Sequence, residues 1–428
     1  MLGCGTVGGG VASILSRGSA DITARAGAEV RVTRVAVRDT GKDRGLSLPA
    51  EIFTTDARSV VEADDVDVIV EVMGGRQPAS ELLRRALELG KPVVTANKEL
   101  VAHEGPELYA MARTARVDFA YEAAVAGAIP IIKPLKESLA GDRVRRVVGI
   151  LNGTTNYILT RMTEDGASYG DALAEAQRLG YAEADPTADV GGHDAAAKTA
   201  ILSSLAFDMA VHDRDVFREG IEGVTATDIG VADRLGYVVK LLGIAHREGD
   251  ALAVRVYPAF LPKTHPLAAV RDSFNAIYVD AEAAGELMFY GRGAGALPTG
   301  SAVVGDLIDV SRNLLQTARG ASESIHRPTS LFPVDELQTQ YYVLLEVADR
   351  PGVLADVART FGRHDVSIAQ VWQDGGGESA RLVLITHRAR EGSLRDTVEA
   401  LAETPAVRKV ASVLRVEARR CSTRNVNP

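Results

Sequence analysis

Three glycines in the pattern G-x-G-x-x-G stand at the start of the chain and restrict what its first segment can fold into. The stretch reads MLGCGTVGGGVASIL, and the pattern falls on Gly3, Gly5 and Gly8. In a parallel βαβ unit, such glycines permit a tight turn after a strand, and the following helix presents free N-terminal amides to a dinucleotide pyrophosphate. The pattern alone is a weak signal, so a flexible glycine-rich segment without a ligand is the alternative.

The next hundred residues supply the context that the glycine pattern needs. Apolar runs typical of buried parallel strands alternate with segments of helical periodicity. This alternation predicts a doubly wound parallel α/β sheet with crossover helices, as in the Rossmann fold. The predicted strands cover residues 29–37, 66–73, 91–96 and 117–124, and the predicted helices begin at Val7, Pro78 and Gly105.

Residues that follow the predicted strands bear on the cofactor, because ligands of such sheets bind outside the carboxyl ends of the strands. Gly74 and Lys98 follow two of the strands, and Arg38 with Asp39 follows another. A guanidinium can pair with a 2′-phosphate, so Arg38 favours NADP(H), whereas a carboxylate such as Asp39 is typical of NAD(H) sites. An Arg38–Asp39 pair that caps a turn is the alternative, and NAD(H) stays possible.

The segment before the glycine pattern is short for a strand. The first strand of a doubly wound sheet is normally central, and a strand has about five or six residues. Here Met1 and Leu2 alone precede Gly3. We therefore expect that Met1 is a late start and that the native chain carries several more apolar residues before it.

The densest polar cluster lies in the stretch GYAEADPTADVGGHDAAAKTAILSSLAF. Asp194 and Lys198 are four residues apart and share one face of a predicted helix, which for an isolated pair indicates an ordinary surface ion pair. This helix is mostly apolar, so we expect the lysine to be partly buried. Burial lowers the pKa of a lysine, which can then act as a general acid or base near neutral pH. The upstream carboxylates Glu183 and Asp189 suit a ligand ammonium.

Composition excludes several classes of protein. The 428 residues, 46% of them hydrophobic, can bury the cores of two or three domains. A net charge of -9 without a basic, aromatic-interleaved run excludes a nucleic-acid partner. The chain lacks an apolar run of about 18 residues and a signal-like start, so we expect no membrane partner and a cytoplasmic location. The two cysteines, Cys4 and Cys421, suit a reducing compartment.

The last third of the sequence predicts a connector followed by a second fold. Residues 316–340 are polar and contain prolines, which is typical of a linker. Residues 341–418 show the order βαββαβ, which predicts a ferredoxin-like unit. A polar tail covers residues 419–428.

Six ordered motifs resemble those of the homoserine dehydrogenases. They are GCGTVGGGV, ANKELVA, EAAVAGAIPII, NGTTNYIL, GYAEADPTADVGGHDAAAK and YGRGAGALPTGSAVVGD, and together they cover most of residues 1–310. The resemblance implies a Rossmann domain over 1–125 and an α+β catalytic and dimerisation domain over 126–315. It also implies the reversible NAD(P)-dependent interconversion of L-aspartate 4-semialdehyde and L-homoserine, on the route to threonine, methionine and isoleucine.

The resemblance assigns roles to individual residues. Lys198 is implied as the proton donor and acceptor, with Lys98 assisting it. Glu183 and Asp194 are implied to hold homoserine, with Asp189 close to its amino group. The implied cofactor residues are Gly3, Gly5, Thr6, Val7, Gly8, Arg38, Gly74, Lys98, Gly180 and Gly295.

The same resemblance implies a structural monovalent cation, usually sodium. The Glu122 carboxylate and the backbone carbonyls of Val125, Gly127 and Ile129 are its implied ligands, and hard oxygen ligands suit such an ion. A glycine-containing turn that leads into a helix explains these residues equally well. Scattered histidines and the absence of paired cysteine spacing give no support to a transition metal.

The C-terminal turn DRPGVLA resembles the ligand-binding turn of ACT domains. Asp349, Pro351 and Gly352 are its implied effector residues. ACT domains commonly pair and bind amino acids between partners, so the resemblance implies a homodimer or homotetramer with feedback binding of L-threonine. A plain dimerisation module is the alternative. Because the catalytic residues all precede the connector, we expect a regulatory segment that can be separated from catalysis.

Two other functions are weighed against this one. An aspartate-semialdehyde dehydrogenase needs a positioned cysteine nucleophile, and neither Cys4 nor Cys421 can serve. A non-catalytic sensor of amino acids and dinucleotides would use the same domains, but the presence of both Lys198 and Lys98 argues against it. The sequence therefore predicts an NADP-preferring oxidoreductase with a regulatory ACT domain.

Overall fold

The structure is a computed structural model that describes residues 1–321, 330–375 and 379–417. The described elements form an N-terminal parallel sheet with helices, a large and mostly antiparallel sheet, and a C-terminal sheet that continues it. Part of the predicted connector 316–340, residue 418, the predicted tail 419–428 and Cys421 lie outside the described residues.

Leu2 joins the two parts of the N-terminal parallel sheet. It forms parallel bridges with Ala36 on one side and with Glu71 on the other. Its amide donates to the carbonyl of Val70 at 2.7 Å, and its carbonyl accepts from the amide of Val72 at 2.8 Å. The Leu2 side chain is fully buried in the core. The strands are β1 (Val35–Ala36), β2 (Phe53–Thr54), β3 (Ile69–Glu71), β4 (Val93–Thr95) and β5 (Phe119–Ala120), and the helices are α1 (Thr6–Arg17), α2 (Ser19–Ala26), α3 (Ala57–Glu62), α4 (Ala79–Glu88) and α5 (Lys98–Ala115).

The doubly wound parallel sheet is confirmed, but its strands are shorter than the apolar runs that predicted them. The predicted strand 29–37 is a strand only at β1, because burial and pairing with Phe53 begin at Val35. The predicted strand 117–124 ends at Ala120, and Glu122–Ala124 forms a 3-10 turn. Helix α5 begins at Lys98 rather than Gly105, because the side chain of Asn97 accepts from the amide of Leu100 and caps the helix.

The middle of the chain forms an antiparallel sheet in the order β11-β10-β6-β8-β9, covered by helices. Helix α9 is buried on almost every side and packs against α5, β6, β8 and β9. This packing brings the N-terminal and middle units together. The strands are β6 (Val144–Ile150), β7 (Phe217–Arg218), β8 (Tyr237–Glu248), β9 (Ala251–Pro262), β10 (Phe274–Ala281) and β11 (Gly285–Arg292), and the helices are α6 (Gly153–Glu164), α7 (Tyr169–Arg178), α8 (Thr187–Val190), α9 (His193–Phe207), α10 (Ala226–Arg234) and α11 (Ala296–Leu315).

Helix α11 returns from the middle unit to pack on α1 of the N-terminal unit. A Cβ atom on Gly10 would lie 2.0 Å from the carbonyl oxygen of Ala296, and one on Gly300 would lie 2.9 Å from the backbone of Gly10. The absence of side chains at both positions lets the two helix backbones approach this closely. Among the helices of the described residues, none is long and apolar enough to span a lipid bilayer.

The C-terminal unit has the predicted βαββαβ order, with a short extra strand. Its sheet runs β16-β12-β14-β13, and two helices cover one face. This arrangement confirms the ferredoxin-like fold that the sequence predicts. The elements are β12 (Gln338–Ala348), α12 (Val353–Arg363), β13 (Ile368–Asp374), β14 (Ser379–Thr386), β15 (Ala389–Arg390), α13 (Glu391–Ala402) and β16 (Val407–Val416).

The C-terminal sheet continues the middle sheet. Strand β16 pairs in parallel with β9, at Arg415 with Ala259 and at Val416 with Phe260. The rings of Phe260 and Tyr342 stack with centroids 4.6 Å apart, and the Tyr342 hydroxyl donates to the buried Asp228 carboxylate at 2.9 Å. Removal of the C-terminal unit would therefore expose buried apolar surface of the middle unit, so the segment is less separable than its sequence suggests.

Glu417 extends from β16 into the middle unit and carries a buried charge there. Its carboxylate accepts from Arg146 at 2.6 Å and from the Tyr257 hydroxyl at 2.7 Å, and it lies 3.6 Å from Arg255. The Arg255 side chain is only 4% exposed. Burial by itself raises the pKa of Glu417, but attraction from Arg146 and Arg255 outweighs burial and lowers this pKa to about 2.

This buried ion cluster predicts a pH-dependent contribution to stability. The substitution Glu417→Gln keeps the volume but leaves Arg255 without a carboxylate, so we expect the free energy of unfolding at neutral pH to fall by about 3 kcal/mol. The folded-state pKa lies below the unfolded value of about 4.3. The contribution is therefore present above that value and is lost as the pH falls toward 2. Urea unfolding of both proteins between about pH 7 and pH 3.5 measures this change.

The matched control is Asp335→Asn, which removes an exposed partner of Arg395 in the same unit. Because solvent screens this exposed pair, its loss should change stability little at any pH. A stability difference between the parent and Glu417→Gln that stays constant down to about pH 3.5 would contradict the assignment.

Candidate active site

One buried carboxylate holds two lysines that come from different parts of the chain. Asp194 and Lys198 lie one turn apart on α9, and each is 8% exposed. The Lys198 ammonium donates to Oδ2 of Asp194 at 2.7 Å. The Lys98 ammonium, at the start of α5, lies 3.1 Å from Oδ1 of the same carboxylate. The structure thus brings Lys98, Asp194 and Lys198 together at the contact between α5 and α9.

The charges of this trio stabilise each other. Burial raises the pKa of Asp194, but the ammonium groups of Lys198 and Lys98 outweigh burial and hold that pKa well below its usual range. In return, the Asp194 charge raises the pKa of Lys98 above its usual value, against the opposing effect of burial. With both lysines protonated, the trio carries one excess positive charge, which suits an oxygen that becomes negative during a reaction.

A turn after β6 contributes the polar groups beside the trio. The Leu151 carbonyl accepts from Lys198 at 2.8 Å. The Asn152 side-chain amide donates to Asp194 at 2.9 Å and to Asp189 at 2.7 Å. The Thr154 hydroxyl lies 3.1 Å from the other oxygen of Asp189. Burial raises the pKa of Asp189, and the bonds from Asn152 and Thr154 offset part of this effect.

The side chains of Asn152 and Thr154 are site residues that the sequence analysis does not identify. The NGTT stretch predicts either Asn152 or Thr154 as a helix cap. The structure assigns the cap to Asn152, whose Oδ1 lies 2.8 Å from the Thr155 amide. Its second role is to donate to Asp189 and Asp194. The chemistry of the side chain is the signal that could have indicated this role. An asparagine cap leaves its NH₂ group free to donate, and neighbouring carboxylates accept such donors.

The proton of Lys198 is available to a ligand. An ammonium has three N–H groups, and among the described residues only Leu151 and Asp194 accept from Lys198. The third N–H group can therefore donate to a substrate oxygen. This geometry supports a general acid or base at Lys198.

The glycine pattern forms the tight turn that the sequence predicts. Gly3 has a φ of +94°, and a Cβ there would lie 2.8 Å from the Val72 carbonyl oxygen. A Cβ on Gly8 would lie 2.8 Å from the Gly3 carbonyl oxygen. Gly5 then precedes α1, whose first amides, those of Thr6 and Val7, have no partner within the helix. Such a helix start can bind a pyrophosphate.

The other predicted cofactor residues lie at element ends. Arg38 is exposed just beyond β1, and Gly74 lies in a turn just beyond β3. Gly180 follows the end of α7, and Gly295 immediately precedes α11. Because Arg38 and Gly74 follow parallel strands, they lie on the side of the sheet where ligands bind.

Glu183 is the one predicted substrate residue that stands apart from the cluster. It lies exposed in the loop between α7 and α8, and its backbone carbonyl accepts from Gln177 at 3.0 Å. The structure gives its side chain no hydrogen bond to Asp189, Asp194 or Lys198 within the described residues. Its role in holding substrate stays a prediction.

The predicted cation ligands lie in one buried segment. The Glu122 carboxylate accepts from the amides of Ile131, Ile132 and Lys133 at 2.6, 2.8 and 3.0 Å. Across the described residues, no hydrogen bond reaches the carbonyl oxygens of Val125, Gly127 and Ile129. Among the residues that the structure describes, no group of three or more His, Cys, Asp or Glu side chains could hold a metal ion.

The predicted effector residues form the turn between β12 and α12. Asp349 accepts from the Gln373 side chain at 3.1 Å. Pro351 is exposed, and Gly352 has a φ of +92° at the start of α12. The turn is therefore held by β13 on one side and opens to solvent.

Family profiles match three segments of the chain. The homoserine dehydrogenase NAD-binding domain matches residues 3–122, the homoserine dehydrogenase domain matches residues 130–308, and the ACT domain matches residues 341–406. A homoserine dehydrogenase of Mycobacterium tuberculosis is 51% identical, over 97% of each chain. This chain belongs to the homoserine dehydrogenase family. It is an oxidoreductase with a dinucleotide-binding domain, and its ACT domain indicates regulation.

Solved homoserine dehydrogenases share the fold. The structure from Thiobacillus denitrificans superposes with a TM-score of 0.92 at 42% identity and covers 97% of each chain. A hyperthermophilic archaeal homoserine dehydrogenase in complex with NADPH superposes with a TM-score of 0.61 at 28% identity, over 72% of this chain and 96% of that chain. These matches confirm the family that the sequence motifs predict.

Proposed function

We propose that the protein reduces L-aspartate 4-semialdehyde to L-homoserine reversibly, in the synthesis of threonine, methionine and isoleucine. The observation that carries this proposal is the buried Lys198, held by Asp194 and Leu151 with one N–H group available. A non-catalytic sensor has no need of such a proton donor. The proposal also fits the excess positive charge of the Lys98–Asp194–Lys198 trio.

Lys198 moves the proton of the reaction. Bound NADP(H) or NAD(H) supplies the hydride to the aldehyde carbon. As negative charge develops on the aldehyde oxygen, the available N–H group of Lys198 donates its proton to that oxygen and leaves a neutral amine. In the reverse direction, the neutral amine accepts the proton of the homoserine hydroxyl. Asp194 keeps the nitrogen in place in both directions.

The remaining predicted residues orient the substrate. Lys98 adds positive charge beside the developing oxyanion, since it shares the Asp194 carboxylate. Asp189 shares the Asn152 amide with Asp194, and Glu183 is exposed in the loop between α7 and α8. We assign these two carboxylates to the substrate ammonium group, as the resemblance implies. Asp194 already has both oxygens engaged by Lys98, Lys198 and Asn152. Its contribution to holding homoserine is therefore through the two lysines.

The cofactor residues favour NADP(H), with NAD(H) also accepted. The amides of Thr6 and Val7 at the start of α1 would hold the pyrophosphate, in the turn made by Gly3, Gly5 and Gly8. Arg38 is exposed just beyond β1, and its guanidinium would pair with a 2′-phosphate. The archaeal relative in complex with NADPH supports this preference. The residues assigned to the rest of the cofactor are Gly74, Lys98, Gly180 and Gly295.

The segment after β5 would hold a monovalent cation, for which we propose sodium. The carbonyl oxygens of Val125, Gly127 and Ile129 lack hydrogen-bond donors among the described residues, and Glu122 adds a buried carboxylate. Unpaired buried carbonyls are costly, and a hard cation satisfies them. The ion would fix the segment where the N-terminal and middle units meet.

L-Threonine is the effector that we propose for the ACT domain, bound at Asp349, Pro351 and Gly352. A homodimer or homotetramer is the proposed assembly. The outer strand β11 supports it, since among the described strands it pairs with β10 alone, and its Met288 and Tyr290 are 39% and 55% exposed. A cytoplasmic location, without a nucleic-acid or membrane partner, is part of the same proposal.

The substitution Lys198→Met tests the proposed proton donor. It keeps the length of the side chain and removes the transferable proton, so we expect kcat to fall by about 10²- to 10⁴-fold. The Kd for NADPH should stay within about threefold. The measurements are absorbance of NADPH and of NADH with aspartate semialdehyde, and a fluorescence titration of the cofactor.

The matched control is Lys240→Met, since Lys240 is also buried but bonds to Asn156 and Val270. Its kcat should stay within a few-fold of the parent. Turnover by Lys198→Met within a few-fold of the parent would show that the proton comes from another group.

Sodium should stabilise the folded protein. We expect the melting temperature in sodium chloride to exceed that in choline chloride of equal ionic strength by a few degrees, because an ion that binds only the folded state raises its stability. Glu122→Gln should remove this difference, and Asp228→Asn, which changes another buried carboxylate, should retain it. Equal melting temperatures of the parent in the two salts would exclude a sodium site.

L-Threonine should inhibit the full chain. Asp349→Ala should raise the half-inhibitory concentration by at least about tenfold, because it removes a charged group from the effector turn. Asp356→Ala, which changes an exposed aspartate on α12 in the same unit, should leave inhibition unchanged. Inhibition that is equally strong in all three proteins would place the effector site elsewhere, and no inhibition of the parent would exclude threonine.

A further inference from the structure

Glu71 is a fully buried carboxylate at the end of β3 that the proposed mechanism does not use. One of its oxygens accepts from the amides of Met73 and Gly74 at 2.8 and 3.2 Å. The other accepts from the Thr95 hydroxyl, at the end of β4, at 2.6 Å. Glu71 therefore joins the turns that follow two neighbouring strands.

A second set of hydrogen bonds, made by Asn97, joins the same two turns. The Thr95 hydroxyl accepts from the Asn97 amide at 3.0 Å. The side chain of Asn97 donates to the Gly75 carbonyl at 2.6 Å and accepts from the Leu100 amide at 3.1 Å. The turn 73–75 and the segment 95–97 are thus bonded to each other, and both are bonded to the start of α5.

These two turns border the crevice where the cofactor would bind. They follow parallel strands, and ligands of such a sheet bind outside the carboxyl ends of its strands. Lys98 comes directly after Asn97, and its ammonium lies 3.1 Å from Asp194. A displacement of the segment 95–97 would therefore move Lys98 away from Asp194.

The chemistry of the site requires a carboxylate at position 71. The Thr95 hydroxyl and the amides of Met73 and Gly74 all donate to this carboxylate, and an ionised carboxylate is an acceptor on both oxygens. A glutamine would present its own NH₂ group to one of these donors. Burial raises the pKa of Glu71, and the bonds from Thr95, Met73 and Gly74 oppose this effect.

We propose that Glu71 is a positioning residue for the dinucleotide reaction, which holds the turn 73–75 and the segment 95–98 in the relative positions that the cofactor and Lys98 require. Glu71 acts through Thr95 and Asn97 and touches neither cofactor nor substrate. The inference rests on the proposed binding of NADP(H) in this crevice.

Three substitutions separate positioning from packing, with the Kd for NADPH as the measurement. Glu71→Gln keeps the volume and removes the charge, and we expect it to raise the Kd at least about fivefold, since it leaves donors unpaired. Thr95→Val keeps the volume and removes the hydroxyl, and should also raise the Kd at least about fivefold. Thr95→Ser removes a buried methyl group but keeps the hydroxyl, so its Kd should stay within about twofold.

Asp228→Asn is the matched control, because the Asp228 carboxylate is also fully buried and accepts from Thr225 and Tyr342, but it lies on α10. It should lower the melting temperature without changing the Kd for NADPH. A Kd for Glu71→Gln that rises less than fivefold would overturn the proposal. The proposal would also be overturned if Thr95→Ser weakened NADPH binding as much as Thr95→Val, since loss of packing would then explain both.

If Glu71→Gln fails to fold, the comparison of Thr95→Val with Thr95→Ser decides the proposal alone. The binding of NADPH to the parent protein tests the proposed cofactor separately. A parent that does not bind NADPH contradicts the proposed function, whereas normal binding by the parent and by Glu71→Gln contradicts only the role of Glu71.

Discussion

The structure depends most on the buried Asp194 carboxylate, which must be compensated by positive charge. An unpaired charge at this depth would cost several kcal/mol. Its partners are Lys198 on its own helix, Lys98 at the start of α5 and the Asn152 amide at the start of α6. Three separate elements are therefore held at fixed positions by one charge. Electrostatics thus specifies the relative positions of the dinucleotide-binding unit and the middle unit at the candidate active site.

The rest of the architecture reinforces this contact. Helix α11 crosses back to α1 at Gly10 and Gly300, so the dinucleotide-binding unit takes part of its packing from residues far along the chain. Strand β16 extends the middle sheet, and Glu417 reaches Arg146 on β6. The same strand β6 leads to Leu151, which accepts from Lys198. A displacement of the ACT domain would therefore act on β6, and the residue that follows this strand, Leu151, accepts from Lys198, the proposed proton donor.

The sequence predicts this molecule well where the signal is periodic and poorly where the signal is a contact between distant residues. The parallel sheet, the ferredoxin-like unit and the helix with Asp194 and Lys198 follow from local patterns. The start of α5 does not, since Gly105-Pro106 resembles a helix start more closely than Asn97 does. The link from Glu417 to Arg146 spans 271 residues and has no local signal. The packing of α11 on α1 likewise depends on Gly10 and Gly300, and the local sequence does not distinguish these two glycines from other residues within helices.

Two asparagines beside the candidate site, Asn97 and Asn152, each cap a helix and also donate a hydrogen bond to a group of the site. Asn97 and Asn152 each accept a helix amide through the side-chain oxygen and donate through the side-chain nitrogen. Serine or aspartate would satisfy the helix equally well. Only asparagine also offers NH₂ donors, which the Gly75 carbonyl and the Asp194 carboxylate require. An aspartate at position 152 would place a second negative charge against Asp194 and Asp189. Serine, aspartate and asparagine are equivalent as helix caps, so the presence of asparagine at positions 97 and 152 is what indicates a second contact with the site.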